Sequence, residues 1–565
     1  MQTSLRLSLA TAVAGAALLS AAPRAQACGG FFCSQTPVDQ TGEQIIFSVK
    51  KDHVTAQILI NYQGEAKDFA WVLPVMVKPK ITLGSAAVFR IVQQRTQPQF
   101  RIDWKFPSGS MCGGQPESAA ASPTGARGGD DGVNVVDMRD VGPFSTVVLE
   151  SKDTSALIAW LGENGYDQPP EARGLIQHYV TNGFLFVALK LKKDASVGEI
   201  QPIVLDMDHG EPCVPLILTR IAATKDMPVF AYVLGNGRAV PRNWFHVEVN
   251  QKKIDWLNNG SNYRAVVTSA INEAAGRGFV TEYAGPDDDL MRNAIYREGQ
   301  WDLNRLRTLS DPVALVEAAL RSGLPFDSTM QAILRKHVPM PPSVRALNVT
   351  EVTFYRSIRQ YQSHLAGVRV DAAAFVADIE ERIVTPLREA QKMFDEQPWM
   401  TRLFATVSPD EMTRDPLFQF NPELAPVSNI HMAKGTGTCG SNGVMTNVSL
   451  ELETGETLSL PGPASRFPRA PVPGAQPWQG GAGEPSARTI ALVGTTGQPT
   501  VYPQAQVQEI DRALDRETPE AVRLRPPLTV PAAAASNGCQ LGGRPAGGAL
   551  FGLLALGFAL TRRRR

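Results

Sequence analysis

The segment Glu43–Gln63 reads EQIIFSVKKDHVTAQILINYQ and decides the fold of the N-terminal part of the chain. Apolar side chains occupy every second position of its run Val54–Tyr62, which is the period of a β-strand with one buried face. The run Glu43–Val49 predicts a preceding strand, and the polar residues Lys50–His53 between the two runs predict a hairpin turn. A third apolar run, Phe69–Val75, follows closely. We therefore expect an antiparallel β core at the start of the chain.

The rest of the chain extends this core into an α+β fold. Strand-like and helix-like runs alternate up to about Gly285, and helical spacing dominates after it. A chain of 565 residues is too long for one hydrophobic core, so several domains are expected. The predicted organisation is a signal peptide at 1–27, a β-rich α+β domain at 28–285, a mostly helical section at 286–407, a loop and strand segment closing the body at 408–460, a Pro/Gly-rich linker at 461–537 and a C-terminal tail with a hydrophobic helix at 538–565.

Several elements have recognisable boundaries. Ser85–Gln94 and Asp153–Asn164 carry apolar stripes at helical spacing. Ser310-Asp311-Pro312 predicts a helix start, because a proline early in a helix has no N–H to leave unpaired. Thr385-Pro386 should kink or split the last long helix. The run Cys213–Ile221 is interpreted as a strand. Inside the predicted linker, small local structure is expected at Thr489–Val493 and Gln504–Leu514.

The charge balance argues against nucleic-acid binding. Formal charge is zero over the whole chain, but seven arginines lie in the two terminal segments: Arg6, Arg24, Arg544, Arg562, Arg563, Arg564 and Arg565. Without them 48 basic residues face 55 acidic ones, and no basic run is interleaved with aromatic residues. Binding to nucleic acid depends on neutralising phosphates, so the sequence does not favour it.

The N-terminal segment predicts export. Leu7–Leu19 is an apolar run too short to span a bilayer comfortably, and Ala25-Gln26-Ala27 supplies the small residues that a signal peptidase reads. We expect cleavage after Ala27. Lipidation of Cys28 is an open alternative, although a lipoprotein signal usually has Leu or a similar residue where Ala25 stands.

The cysteines predict disulfides, since an exported protein meets an oxidising compartment. The candidates are Cys28 and Cys33, which flank two glycines, together with Cys112 and Cys213 in loop sequences. Their connectivity stays open. A metal site is a weaker alternative because the spacings lack a C-x-x-C pattern. We expect neither a metal nor a cofactor.

One polar cluster could carry chemistry. Asp206–Glu211 reads DMDHGE, and Cys213 follows two residues later. Asp208, His209 and Cys213 are the weak catalytic candidates, for acid–base work or a thiol mechanism. The alternative is a surface turn between strands. Nucleophile-elbow, P-loop and zinc-protease motifs are absent from the sequence.

The remaining histidines and tryptophans are given structural interpretations. His178 is placed on a helix surface and His246 in a strand. Trp71 and Trp160 are interpreted as core residues. His53 is placed in the hairpin turn.

The C-terminal tail resembles the myxobacterial sorting signal (MYXO-CTERM type). Cys539 precedes the short apolar run Ala546–Leu560, and the arginines 562–565 follow that run. Fifteen helical residues span roughly 22 Å, short of the ~30 Å hydrocarbon core. The resemblance implies that a sorting peptidase cuts near Cys539 and that this cysteine takes a lipid. A permanent single-span transmembrane anchor is the alternative.

Several ordered motifs resemble one bacterial family. They are CGGFFC at Cys28–Cys33, EQIIFSV at Glu43–Val49, DFAWVLPV at Asp68–Val75, WLGENGYDQP at Trp160–Pro169, LKLKK at Leu189–Lys193, GEIQPI at Gly198–Ile203 and FVTEYAG at Phe279–Gly285. This set is similar to the exported family known as domain of unknown function 2330 (DUF2330), and the similarity runs to about His431. The resemblance implies export and envelope association and brings no reaction.

These observations lead to an expected function. We expect a non-catalytic extracytoplasmic protein tethered to the cell envelope, at the outer membrane or cell surface, with a role in binding, adhesion or envelope maintenance. Its partners would be the membrane, through the C-terminal helix or a lipid, and the sorting peptidase. The alternatives are an extracytoplasmic hydrolase or thiol-dependent enzyme and an accessory subunit of a membrane complex.

Overall fold

The computed structural model describes residues 39–63, 70–105, 134–166, 168–192, 200–439, 445–463 and 483–524. These residues fall within one compact unit that ends at Leu524. The predictions for the signal peptide, for Cys28, Cys33 and Cys112, and for the C-terminal tail with Cys539 lie outside the described residues. Among the helices that the structure does describe, none has both the length and the apolar character needed to cross a membrane.

The described residues contain twenty strands. In chain order they are β1 Asp39–Lys50, β2 His53–Gln63, β3 Ala70–Val75, β4 Lys80–Leu83, β5 Gln99–Lys105, β6 Asn134–Val141, β7 Phe144–Glu150, β8 Leu185–Leu191, β9 Ile203–Asp208, β10 Met227–Gly235, β11 Arg238–Pro241, β12 Phe245–Val249, β13 Gly278–Pro286, β14 Trp399–Val407, β15 Phe418–Asn421, β16 Ile430–Cys439, β17 Met445–Glu451, β18 Thr457–Pro463, β19 Ala487–Leu492 and β20 Thr500–Val501.

Fourteen α-helices accompany these strands in the described segments. They are α1 Ala86–Thr96, α2 Thr154–Glu163, α3 Ala172–Thr181, α4 Leu216–Thr219, α5 Tyr263–Glu273, α6 Asp288–Met291, α7 Leu303–Arg307, α8 Pro312–Arg321, α9 Ser328–His337, α10 Pro342–Arg345, α11 Glu351–Arg356, α12 Ala372–Ile379, α13 Thr385–Asp395 and α14 Val507–Glu517. A π-helical turn, Glu380–Val384, joins α12 to α13. The α+β class predicted from the sequence is confirmed.

A ten-stranded mixed sheet organises the molecule. Its order is β20-β19-β12-β13-β14-β10-β1-β2-β9-β4. The predicted hairpin of β1 and β2 is present, and β1 also pairs in parallel with β10. Both faces of the sheet are covered: Ile45 and Phe47 enter one core, while Ile46 between them enters another. This explains the nearly continuous apolar run in β1, because a strand buried on both faces has no polar side.

The two faces carry different layers. A four-stranded antiparallel sheet, β3-β8-β7-β6, contributes Trp71 and Leu73 to the first core. The helical section from α6 to α13 packs on the opposite face together with α1. A second four-stranded sheet, β18-β17-β16-β5, packs Phe100 against Trp256 with ring centroids 5.2 Å apart. The ten-stranded sheet therefore separates two packed layers, and the second four-stranded sheet packs against the segment that follows β12.

Helix starts follow the side-chain caps in the sequence. Ser85 accepts a hydrogen bond from the backbone N–H of Ala87, and Asp153 accepts one from that of Ser155. Asp311 caps α8 at the backbone N–H of Ala314, with a proline in the first turn. Such caps satisfy backbone donors that have no partner within the helix. The predicted helices at these three places are confirmed.

Three segments differ from the sequence-based expectations. Cys213–Ile221 is not a strand: Cys213 makes one isolated bridge, and α4 follows directly after Pro215, because prolines at 212 and 215 remove ladder donors. The section predicted as helical, 286–407, ends in β14, which lies between β10 and β13 at the centre of the large sheet. Within the segment predicted as linker, the local structure expected at Thr489–Val493 and Gln504–Leu514 is present as β19 and α14, but these elements are part of the body, because β19 pairs with β12.

Candidate functional site

A large cavity lies at the β4 edge of the ten-stranded sheet. Its volume is about 670 Å³. Strands β2, β9 and β4 form one wall, and the π-turn and α13 form the other. The lining side chains are mostly polar or charged, and the charged ones carry both signs: Lys50, His53, Lys80, Asp140, Asp206, Glu381, Glu389, Lys392 and Glu396. We call this the edge cavity.

A proline places the helical wall of the edge cavity. Pro386 has no N–H, so the carbonyl of Arg382 one turn earlier loses its usual donor. The Nε2 of Gln201 donates to that carbonyl at 3.1 Å, and the Oε1 of Gln201 accepts from Nε of Arg382 at 3.2 Å. The predicted interruption at Thr385-Pro386 takes the form of the π-turn just before it. The interruption thus anchors the helical wall to the segment just before β9.

His53 is the central polar side chain of the sheet wall. It is the first residue of β2 and pairs with Lys50, and this pair closes the predicted hairpin turn. Its Nε2 lies 2.7 Å from Oδ1 of Asp206, and its Nδ1 lies 2.9 Å from Oδ1 of Asp208. The hydroxyl of Thr55 donates to the same Asp206 oxygen at 2.8 Å. Both ring nitrogens are therefore engaged by carboxylates.

These contacts shift the ionisation of the cluster. The hydrogen bond to Asp208 is the largest cause that raises the pKa of His53, and Asp206 adds to it against a smaller effect of burial. Burial by itself would raise the pKa of Asp206, but the hydrogen bonds from Thr55 and His53 outweigh it and hold that pKa below its usual value. The arrangement favours an imidazolium ion between two carboxylates. Such a ring has no free lone pair to accept a proton, so it suits binding better than general-base catalysis.

The polar cluster Asp206–Glu211 is divided by the fold. Asp206 and Asp208 end β9 and meet His53, whereas His209 is an exposed turn residue with φ +57°. Glu211 forms an ion pair with Arg242 at 3.3 Å. In the segments that the structure describes, no hydrogen bond or ion pair joins Cys213 to Asp208 or His209. The three weak catalytic candidates are not brought together.

Cys213 is a free, partly buried thiol in the structure. Burial raises its pKa well above the usual range, and the carboxyl groups of Asp415 and Glu211 raise it further. A nucleophilic cysteine needs the opposite environment, in which cations or a helix N-terminus lower the pKa. Because Cys28, Cys33 and Cys112 lie outside the described residues, the disulfide pairing stays a prediction.

A second cavity of about 330 Å³ lies between the ten-stranded sheet and the sheet that contains β16. We call it the inter-sheet cavity. Arg238 of β11, His246 of β12 and Thr281 of β13 meet in its wall. The Nε2 of His246 is 3.0 Å from the hydroxyl of Thr281 and 3.1 Å from Nη2 of Arg238. His431 lies opposite, stacked on Phe100 with ring centroids 5.0 Å apart.

A buried ion pair lies at the wall of the inter-sheet cavity. Nε of Arg402 in β14 donates to Oε2 of Glu282 in β13 at 2.5 Å, and both side chains are at most 4% exposed. Burial raises the pKa of Glu282, while the charge and hydrogen bond of Arg402 oppose the rise. The guanidinium of Arg402 also lies over the rings of Phe230 and Tyr232. The sequence analysis did not predict this pair. The signal that could have indicated it is Arg402, a charged residue within the otherwise mostly apolar strand β14.

Other sequence predictions are resolved by burial. Trp71 and Trp160 are core residues, as predicted, and His246 lies in a strand, as predicted. His178 is not simply on the surface: it is half-buried, and its Nε2 lies 3.1 Å from the carbonyl of Ala521 in the C-terminal segment. Within the described ranges no group of three or more His, Cys, Asp or Glu side chains is placed to hold a metal ion.

The fold and its cavities define an α+β protein with a large two-sided sheet and two separate polar cavities. Residues 22–287 match the family described as "Uncharacterized protein conserved in bacteria (DUF2330)". The matched range includes the sheet wall of the edge cavity and Arg238 and His246 of the inter-sheet cavity. The helical wall at 380–396 lies outside the matched range. The sequence analysis predicted a similarity up to His431, but the match ends at residue 287.

Two solved structures are similar to part of the chain. Baculovirus P35 is 12% identical, with a TM-score of 0.22, and the match covers 39% of this chain and 69% of that one. A mutated baculovirus P35 after caspase cleavage is 13% identical, with a TM-score of 0.21, over 38% of this chain and 69% of that one. No curated protein matches the chain.

Proposed function

We propose that this protein is a non-catalytic, extracytoplasmic binding protein tethered to the cell envelope, and that the edge cavity holds its ligand. The observation that carries the proposal is the cavity of about 670 Å³, with charged side chains of both signs around it. That volume is within the range of small-molecule sites. Its lining contains no Phe, Tyr or Trp, so the expected ligand is a polar envelope component that carries both a cationic and an anionic group.

The state of the reactive groups supports binding over catalysis. Both nitrogens of His53 are occupied by Asp206 and Asp208, so this imidazole has no lone pair with which to act as a base. The thiol of Cys213 is held in its protonated form by burial. These two points weaken the alternative of a hydrolase or thiol-dependent enzyme at these groups. The sequence of the two ends of the chain supports export and tethering.

The tether is tested by the intact mass of the protein isolated from its native envelope. We expect a mature chain that begins at Cys28, ends near Cys539 and carries an added acyl group. The variant Cys539→Ser is the matched control and should lack the acyl mass. A chain that retains Arg565 would contradict sorting and would favour a permanent anchor or an accessory subunit of a membrane complex. The mass shift on reduction and alkylation counts the disulfides.

The ligand is tested by filling the edge cavity. Thr82 in β4 lines it, so Thr82→Trp should block it, whereas Thr436→Trp places the same ring on an exposed position of β16. Each protein is purified without denaturant, and the small molecules released on denaturation are quantified by mass spectrometry. We expect the wild type and Thr436→Trp to release a polar molecule, and Thr82→Trp to release roughly tenfold less, which corresponds to about 1.4 kcal/mol of lost affinity. Equal release from all three would overturn the assignment of the cavity.

A further inference from the structure

A largely buried arginine without a counter-ion forms part of the wall of the inter-sheet cavity. Nη1 of Arg238 donates to the carbonyl of Ala425 at 3.2 Å, and Nη2 donates to Nε2 of His246 at 3.1 Å. Its Nε is buried and has no hydrogen-bond partner. Across the described ranges, no carboxylate lies within ion-pair distance of this guanidinium. Its contacts therefore satisfy some of its hydrogen bonds but leave its charge uncompensated.

The neighbouring groups do not neutralise this charge. His246 is buried, and burial together with the positive charge of Arg238 lowers its pKa to about 3, so the ring is neutral and accepts the hydrogen bond. Glu282 is already paired with Arg402. Burial lowers the pKa of Arg238, and the exposed carboxylate of Glu248 only partly opposes this. A buried cation without a counter-ion is costly, so an anion that enters the cavity gains an interaction that the protein itself does not provide.

The cavity has the chemistry and the size for such an anion. Its volume is about 330 Å³, and Arg488 and His431 add basic groups to its lining. A guanidinium group binds carboxylate and phosphate groups through paired hydrogen bonds of matching geometry. We propose that the inter-sheet cavity binds a small anion with a carboxylate or phosphate group and that Arg238 is its principal ligand-binding residue. This site is separate from the edge cavity and does not depend on the function proposed for it.

The proposal is tested by anion-dependent thermal stability of the full mature chain. A ligand that binds only the folded state raises the melting temperature as its concentration rises. Sodium phosphate and sodium succinate are titrated separately against sodium chloride at equal ionic strength, so the two arms identify which anionic group is preferred. We expect a saturable rise in the melting temperature with at least one of the two probes and no such rise with chloride.

Three variants assign the effect to Arg238. Arg238→Gln should weaken anion binding roughly tenfold or more, because it removes a charge-assisted hydrogen bond. Arg321→Gln, at an exposed arginine of α8, should bind like the wild type. Glu248→Gln should bind roughly two- to fivefold more tightly, since it removes an exposed repulsive charge.

The outcomes are decisive even if one variant misfolds. If Arg238→Gln does not fold, Arg238→Lys keeps the charge but loses the planar fork and should still weaken binding. The proposal is overturned if neither probe raises the melting temperature of the wild type. It is also overturned if the folded Arg238 variant responds to the anions as the wild type does.

Discussion

Asp511→Asn is expected to destabilise the protein by about 3–5 kcal/mol, the usual cost of removing one partner of a buried ion pair. Asp511 of α14 forms hydrogen-bonded ion pairs with Arg414, whose side chain is fully buried, and with Arg277. Asparagine keeps the size of the side chain but leaves Arg277 without its ion-pair partner, and it leaves Arg414 with only the half-exposed Asp515, whose Oδ1 lies 3.8 Å from Nη1 of Arg414. Urea denaturation with two independent probes measures the loss.

Part of this loss should appear locally, because Asp511 joins the C-terminal segment to the body. Hydrogen exchange of α14 should accelerate more than that of β10, which lies in the centre of the large sheet. Glu509→Gln is the matched control: it is exposed on the same helix, and its effect should stay within about 0.5 kcal/mol. A similar small effect for Asp511→Asn would contradict the role assigned to the ion pairs.

The pH dependence of this stability has a definite sign. Burial would raise the pKa of Asp511, but the hydrogen bonds and charges of Arg277 and Arg414 outweigh it and hold the pKa below 3.8. A carboxyl group with a lowered pKa stabilises the folded state above its unfolded pKa, and the contribution is lost as the pH falls through the folded value. The difference between wild type and Asp511→Asn should therefore narrow only when the pH falls below about 4.

Local patterns in the sequence were sufficient for the class of the fold and for several of its elements. The hairpin followed from the period of two in Val54–Tyr62, and several helices followed from their caps, as at Ser85 and Asp153. The interruption near Pro386 followed from its missing N–H. Leu59, which breaks the alternation in β2, was a sign that the second face is also covered, since it packs against the helical section.

The cavities depend on contacts between distant parts of the chain, which local patterns do not encode. His53 meets Asp206 only because β2 and β9 pair in the sheet, although 153 residues separate the two. The position of β14 at the centre of the sheet was missed because it follows a long helical pattern, from 287 to 398, and carries Arg402 among apolar residues. Asp511 was missed for a related reason: the composition around it predicts a linker, and its partner Arg414 lies 97 residues earlier.

Glu282→Gln is the second substitution expected to have a large effect, also about 3–5 kcal/mol of destabilisation. The variant leaves Arg402 charged and almost fully buried. The other contacts of Arg402 do not replace a carboxylate: Nη1 reaches the carbonyl of Gln93 and the hydroxyl of Thr96 at 3.3 Å each. Glu248→Gln on the neighbouring strand β12 is the control, because Glu248 is exposed, and its effect should be within about 0.5 kcal/mol.

A double variant separates the ion pair from the packing around it. Arg402→Met removes the charge and keeps much of the apolar contact that the arginine makes with Phe230 and Tyr232. If the cost of Glu282→Gln comes from an unpaired buried cation, the double variant should be more stable than the sum of the two single effects predicts, by about 2 kcal/mol or more. Denaturation curves of the four proteins give this coupling energy directly. Additive effects would mean that Glu282 and Arg402 stabilise the sheet through packing alone, and that the pair at the wall of the inter-sheet cavity is not an electrostatic unit.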